Sequence, residues 1–505
     1  MRSEAAARRR CILGAEVVRS AAYASSERAD IWIEDGRIVG VTAPDAAPKF
    51  AAETEAIDAS GLLAIPGLIN SHTHSQSAML QGAVPGEPLD LFVIRAMARR
   101  APRSRRAAYV GASLHAMAML KRGITSHVDH LRDGLLPSVE NVEAALAAYR
   151  DIGIRAVVAP MYEDRMYLDS LPIDQGALPD DVRSRWRAAK RPPPEEYFVL
   201  MEHLVKRWHG THARLGVMLG VDGPQRCTTR LLELTGEFAA RHGVGLHTHL
   251  LEAKTQYLMA PPEHGGSFVR YLDRFGLVNQ RSSLAHFVWC RREDVELAAE
   301  RSVNVVHNPV SNLILGSGIQ PAAALLRAGV NIALGTDGQS GAAVSILEQA
   351  KFASLLSRVA DTQPEHWIDA RSAFRLASEG GAPVVGLAGK VGAIEEGRRA
   401  DLTLIDISGV AWKPRGDVYQ HLVMYENGAN VRTVLVEGEV VVRDGRCTKV
   451  NEAELLEEAR AIALEEAQAN ERWLAAVDSE TPALKDLLLR ALGRPVEANR
   501  FADLR

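Results

Sequence analysis

Cysteine is scarce in this chain: Cys11, Cys227, Cys290 and Cys447 are the only four in 505 residues, far apart and with no CxxC pair. That spacing excludes a disulfide-rich scaffold, and it predicts a reduced compartment with each thiol serving as a small buried apolar group. A hydrophobic leader is lacking as well. The start, MRSEAAARRRCILGAEVV, has no apolar stretch of about 7–15 residues, and no run in the chain reaches the ~18 residues of a membrane span. The expectation is a cytoplasmic protein with no membrane partner. Charge of one sign is also missing. The formal net charge is −4, and the basic residues are scattered apart from Arg8-Arg9-Arg10, which lies where chains usually fray. Nucleic acid needs a basic face, so no nucleic-acid partner is expected. There is no internal repeat and no low-complexity tract.

What is present is the material of a large core, with 47% hydrophobic and 24% charged residues. From Cys11 to Leu63 the pattern is short and β-like. ADIWIEDGRIVGV alternates apolar residues on both sides of Asp35-Gly36, a hairpin signal. VRTVLVEGEVVVRDGRCTKV repeats that grammar near the other end, with turns at Glu437-Gly438 and Asp444-Gly445, just after the strand-like ADLTLIDI. Two β-rich flanks around a long middle predict one discontinuous small domain, a β-sandwich built from residues 1–63 and 390–450. The middle, residues 64–389, alternates short apolar strands with helical stretches: GITSHVDH, NVEAALAAYRDIG, IRAVVAPMY, and onward to VNIALGTD. About eight such units predict an α/β fold, a (β/α)8 TIM-like barrel. A Pro- and Arg-rich insertion, Asp164–Tyr197, interrupts it as a lid or a subunit contact. Residues 451–505 read as a mostly helical extension with no legible chemistry.

Catalytic side chains of such barrels sit at the C-terminal ends of strands, and here the residues able to bind metal end the apolar strands. LLAIPGLINSHTH ends in His72 and His74, which share a strand face because they are two apart. VGLHTHLLE offers His247 and His249, SSLAHF ends in His286, and NIALGTDG carries Asp337. A lone HxH is commonly structural and a lone GTDG is commonly a turn. Five such residues at successive strand ends are a joint signal for a catalytic Zn²⁺ or Fe²⁺ site with a position open to water.

PGLINSHTH, HTHLLE, LAHFVW, HNPVSNLILGSG and ALGTDG together resemble the amidohydrolase superfamily. They are most similar to its branch of cytosine-, guanine- and S-adenosylhomocysteine-deaminase-like and triazine-hydrolase-like enzymes, over about residues 10 to 450. The resemblance implies that His72, His74, His249 and Asp337 bind one metal, Zn²⁺ first and Fe²⁺ second. It selects His249 over His247 because the family pattern is His-x-x-Glu, and that pattern makes Glu252 the matching glutamate. His247 then reads as a hydrogen-bonded core histidine. Binuclear members bridge two ions through a strand-four lysine. LGVMLGVDGP contains none, so a mononuclear site is expected.

The same resemblance implies a hydrolase of carbon–nitrogen bonds: a cyclic amidine deaminase acting on a small heterocyclic substrate, in a homo-oligomer of two or more chains. Catalysis is assigned to Glu252 as proton shuttle, His286 to polarise the attacked centre or orient water, and Asp337 to accept the water's proton. The alternative is release of halide or alkylamine from a triazine-like ring, or amide hydrolysis, by the same site. A non-catalytic scaffold would be marked by lost ligands, and none is lost. Gln76, His130, Tyr162, Gln225 and Trp289 are candidate substrate contacts because they follow strand ends. Arg132, Asp222, Arg226 and Ser311 lie at the same rim, and His307 could support the metal shell. The loop GEPLDLFVIRAMARRAPRS departs from the tryptophan-rich segment of ring-binding deaminases and leaves the heterocycle open.

Overall fold

The computed structural model describes residues 9–44, 46, 54–82, 86–188 and 190–501. Arg8 of the arginine run and the outermost residues of the two terminal segments lie outside the described residues.

Both flanks enter one sheet. It has nine strands, and the N-terminal strand Leu62–Pro66 runs antiparallel to the C-terminal strand Leu402–Asp406 at its centre. On one side follow Arg9–Val17, Glu27–Glu34 and Arg37–Thr42, with Glu55–Asp58 paired parallel to Arg9–Val17, and on the other Val431–Val436, Glu439–Arg443 and Arg446–Cys447. Asp35-Gly36, Glu437-Gly438 and Asp444-Gly445 all have positive φ. Such pairs match the twist of the strands they join, which is why these dipeptides mark hairpins. Ile12, Ile31, Ile33, Leu402, Leu404 and Leu435 form a core of their own. Leu62–Pro66 straddles the boundary drawn at residue 63 and belongs to this sheet along its whole length.

The middle of the chain is a TIM-barrel fold, built as two parallel arcs. One runs through Leu68–His74, Ile124–Leu131, Arg155–Tyr162 and the short pair Leu215–Val217 and Gly220–Val221. The other runs through His247–Leu250, Ser283–His286, Asn304–His307 and Asn331–Leu334. A parallel bridge from Leu219 to Leu246 joins them on one side. On the other, Asp337–Gly338 continues the last strand and pairs with Thr73 and His74. Helices cover the arcs and are punctuated locally. Ser138 caps Val139–Ile152 and Gly153 ends it with φ 90°; Thr228 caps Thr229–His242 and Gly243 ends it with φ 67°. Among the described residues, no helix is long and apolar enough to cross a membrane.

The insertion does not stand free of the fold. Tyr167, Leu168, Leu171, Val182 and Trp186 pack with Leu91 and Ile94 of the helix Leu89–Met97 and with Leu484, Leu487 and Leu488 of the C-terminal helix Glu452–Leu492. Arg103–Glu466 and Arg106–Glu458 ion pairs tie that helix to the barrel. The segment with no legible chemistry thus becomes part of the wall above the strand ends.

Candidate active site

The residues at the strand ends converge on one point. His74 Nε2 lies 3.2 Å from Asp337 Oδ1, His72 Nε2 lies 3.5 Å from the same oxygen, and His249 Nε2 lies 3.2 Å from His74 Nε2. The strand Leu68–His74 is buried along nearly all its length, so its alternation delivers both imidazoles to one face. Gly335 is needed beside it, because a Cβ there would stand 2.8 Å from His72 Cβ. Leu251, His286 and Asp337 hold positive φ of 54°, 78° and 60°. Non-glycine residues seldom adopt that region, and strain of this kind collects where a side chain must be aimed.

The ring orientations are set by the other nitrogen of each histidine. His74 Nδ1 donates to the His130 carbonyl at 2.6 Å, and His249 Nδ1 donates to the Asp222 carbonyl at 2.8 Å with Asp222 Oδ1 at 3.0 Å. His72 Nδ1 sits 2.7 Å from His247 Nε2, whose Nδ1 is 2.6 Å from Ser283 Oγ. His247 therefore braces a neighbouring ring. Each of these bonds leaves an Nε2 facing the centre, as is typical of metal-ligating histidines. His72 Nε2 and His286 Nε2 are buried with no hydrogen-bond partner. Burial pushes Asp337 upward, but His72 and His74 outweigh it and hold the carboxyl well below the usual range, so it is ionised. A tetrahedral ion with bonds of about 2.0–2.1 Å has donor–donor edges of about 3.3–3.4 Å. The observed 3.2, 3.5 and 3.2 Å fit that figure, so the group is able to hold a divalent metal. His72 with His286 and Asp337, and His72 with His130 and His247, are also close enough to be considered. In the second set His72 Nδ1 and His247 Nε2 are spent on each other and His130 Nε2 faces the Gly220 carbonyl, while His130 Nδ1 has no partner.

Glu252 is buried on the wall of a cavity of about 640 Å³ shared with His74, His249 and Asp337. Burial, aided by the charges of Asp337 and Asp222 and opposed by His249 and Arg226, pushes its carboxyl up to about 8. Its Oε1 is 3.7 Å from His286 Nδ1. His286 is fully buried and is not on the cavity wall. Its Nδ1 is 2.8 Å from Asn312 Oδ1, and its Nε2 is 3.9 Å from Asp337 Oδ2.

Of the five candidate substrate contacts, Gln76 and Gln225 line the cavity. His130, Tyr162 and Trp289 do not; each turns a polar atom to the backbone, and His130 Nδ1 is buried with no hydrogen-bond partner. His130 Nε2 faces the Gly220 carbonyl at 3.2 Å, Tyr162 Oη donates to the Pro192 carbonyl, and Trp289 Nε1 donates to the Ser317 carbonyl at 2.9 Å. His307 touches no member of the cluster through a hydrogen bond; burial takes it down to about 3, and it lines a separate cavity of about 40 Å³. Sequence reasoning missed Asn312, one helical turn beyond Asn308, and the brace from Ser283 through His247. It also missed Glu466 and Asn470 of the C-terminal helix, which line the cavity although nothing in that helix's sequence marks them. Ser311, placed only at the rim, donates to Asp337 Oδ2 at 2.6 Å.

Comparison with known proteins agrees with this geometry. The chain belongs to the amidohydrolase family, which matches residues 63–441. It is 31% identical over 437 residues to a 5-methylthioadenosine/S-adenosylhomocysteine deaminase of Desulforudis audaxviator, covering 86% of this chain and 94% of that one. It is 30% identical to a 5'-deoxyadenosine deaminase of Methanosarcina mazei, covering 87% and 94%. Among solved structures, an adenosine deaminase from Xanthomonas campestris with bound zinc superposes with a TM-score of 0.80 at 25% identity, over 91% of this chain and 98% of that one. An atrazine chlorohydrolase from Arthrobacter aurescens complexed with zinc gives 0.79 at 25% identity, over 90% and 100%.

Proposed function

We propose that the cavity is the active site of a metal-dependent aminohydrolase that removes the exocyclic amino group of a nitrogen heterocycle. The observation that carries it is the set of Nε2 and carboxylate atoms at tetrahedral-edge spacing beside the buried carboxyl of Glu252. His72, His74, His249 and Asp337 hold one ion per chain, zinc first and iron second. When bound, that ion supplies Lewis-acid activation of water at neutral pH.

The chain's own groups do the rest. Asp337, ionised and within the cluster, accepts a proton from the attacking water. Glu252, still protonated at neutral pH, donates its proton to the ring nitrogen next to the attacked carbon. A C–O bond forms, the C–N bond to the amino group breaks as the proton from Asp337 leaves with the nitrogen as ammonia, and the hydroxyl proton passes to Glu252 as the C=O bond forms, which restores both carboxyl groups. No oxidant or reductant is needed, because water is the only co-reactant. Ser311 steadies Asp337 Oδ2 with a hydrogen bond of 2.6 Å, His286 Nε2 stands 3.9 Å from the same oxygen, and Gln76 and Gln225 offer amide groups to the ring. The strand Gly220–Val221 carries no lysine, and the Asp222 that follows it is occupied by His249 and two arginines, which supports a single ion.

The adenosine-type relatives support a purine-like ring, and the chlorohydrolase neighbour supports a second reading in which halide or alkylamine leaves by the same attack. The same proposal includes a closed (β/α)8 barrel, a β-sandwich domain made from residues 1–63 and 390–450, a helical extension at 451–505 and a homo-oligomer. The test is a release screen for ammonia, amine and halide with zinc- or iron-loaded protein. Its library includes 5'-deoxyadenosine, methylthioadenosine, S-adenosylhomocysteine, guanine, cytosine and chlorotriazines. Ammonia release is expected. Release of none of the three from any compound by fully loaded protein would overturn the reading.

A further inference from the structure

Away from the histidine cluster, the cavity wall is crowded with arginine: Arg99, Arg100, Arg103, Arg132, Arg191 and Arg226 all line it. Their partners do not balance them. Arg103 is matched by Glu466 at 3.0 Å. Arg132, Arg191 and Arg226 share only Glu163 and Asp222. Arg132 reaches both at 3.0 and 2.8 Å, Arg191 reaches Glu163 at 3.0 Å, and Arg226 reaches Asp222 at 2.6 Å. Three guanidinium groups on two carboxylates leave one positive charge over. Of the other acids on this part of the wall, Asp90 is raised by burial and occupied by Tyr167 and Thr255, and Asp133 accepts from Ser138 and Asn141.

Arg100 adds a second unbalanced charge. It has no ion pair among the described residues and lies over the Trp186 and Trp473 rings at 5.8 and 5.3 Å. Glu480, the acid nearest to it in effect, is taken by Arg185 at 2.6 Å and by Trp186 Nε1 at 2.8 Å. Burial lowers Arg100, Glu480 opposes that, and the like charges of Arg191 and Arg185 lower it further. Arg191 is the telling residue. Its side chain is only 5% exposed, one nitrogen serves Glu163, and its Nε and Nη1 are buried with no hydrogen-bond partner. Buried guanidinium N–H groups left unpaired are costly. Their fork matches a carboxylate or phosphate in two parallel bonds. A volume of about 640 Å³ is also more than a bare ring fills, since pockets of about 300–1,000 Å³ take drug-sized ligands.

We propose that Arg100 and Arg191 bind an anionic oxygen group, a carboxylate or a phosphate, carried by the substrate at the end remote from its reacting ring. The proposal rests on the aminohydrolase reading for which end reacts, and on the arginine wall alone for the anion. It makes the insertion and the residues after Met97 the determinants of substrate choice, while the histidine cluster determines the chemistry.

Calorimetric titration of the zinc-loaded full chain with inorganic phosphate, in buffer free of competing anions, tests the site without turnover. One phosphate per chain is expected, and Arg100→Gln and Arg191→Gln should each weaken it roughly tenfold or more. Arg432→Gln, which removes an ion pair to Asp406 on the flank sheet, should leave it unchanged. Unfolding temperatures of all three variants show that the fold survives, and Arg100, half-buried and unpaired, tests the site independently of Arg191. No saturable phosphate binding, or binding that survives both cavity substitutions as binding at the metal would, overturns the proposal. In a second arm, amino-heterocycles bearing a carboxylate or a phosphate on a spacer are compared with their neutral amides. A lower KM for either acid in the wild type, lost in Arg191→Gln, supports the proposal and separates the two anions. Equal KM values for acids and amides at every spacer length overturn it. Absence of ammonia release throughout would count against the aminohydrolase reading, and the phosphate titration would still decide the anion site.

Discussion

His74 Nε2 and His249 Nε2 lie 3.2 Å apart although the residues are 175 positions apart in the chain. Each ring donates its Nδ1 proton to a backbone carbonyl, so both Nε2 lone pairs face the same point. Two lone pairs at that distance repel unless a cation stands between them, and Asp337 Oδ1 at 3.2 Å from His74 adds negative charge. Chelation should therefore lower the unfolding temperature, and zinc should restore it in proportion to RT ln(1 + [L]/Kd). Elemental analysis of loaded protein should find close to one equivalent per chain. His249→Ala should lose the ion and with it the zinc-dependent gain in stability. Two tightly held ions would refute the mononuclear site.

His247 is buried and spends both ring nitrogens, on His72 Nδ1 and Ser283 Oγ. Outer partners of ligating histidines typically contribute about 10–100-fold in metal affinity. His247→Leu should weaken zinc binding by about that factor while the chain still folds. An unchanged zinc affinity would show that His72 needs no brace.

Glu252→Gln separates proton transfer from metal binding. The amide keeps the shape of the cavity and lies outside the His72, His74, His249 and Asp337 set. General acid–base groups contribute about 10²–10⁴-fold, so turnover should fall by about that much or more, with metal content near the wild-type value. Nearly full turnover on the true substrate would remove Glu252 from the mechanism.

The same substitution should change how stability depends on pH in metal-free protein. Burial holds Glu252 at about 8 in the fold, well above an ordinary glutamate. A raised acid contributes its full stability below the unfolded value, about 4.3, and loses it as pH rises through the folded value. Wild-type stability should therefore decline between roughly pH 4.3 and 8 through this group, at about 1.4 kcal/mol for each tenfold change in ionisation. Glu252→Gln should flatten that decline, and be more stable than wild type at pH 9 relative to its standing at pH 4. Parallel denaturation curves for the two proteins at both pH values would contradict the buried-acid account.

Much of the frame was legible in linear order because it depends on local periodicity. Alternation around Asp35-Gly36 and Glu437-Gly438 specifies hairpins, since only a few dipeptides accept positive φ in succession. His72 and His74 are two apart on a buried strand, so period two alone puts them on one face. Strand-end position indicates height in a barrel, and this is how Gln76, Gln225 and Ser311 could be placed near the cavity. It does not give the direction of a side chain. Tyr162, Trp289 and His130 end strands or follow them, yet each turns a polar atom to a carbonyl that neighbouring segments present.

The sequence by itself determined the strand-and-helix alternation, the type of metal-binding group and the spacing of His249 from Glu252. Only the tertiary structure decided what faces the ring. Arg191 comes from the insertion, Arg100 from the turn after the helix Leu89–Met97, and Glu466 and Asn470 from a helix more than 360 residues further on. Local patterns record which residues share one strand or one helix face. They carry no information on which two distant elements will share a cavity wall, because that is decided by the burial of Tyr167, Trp186 and Leu484 in one common core.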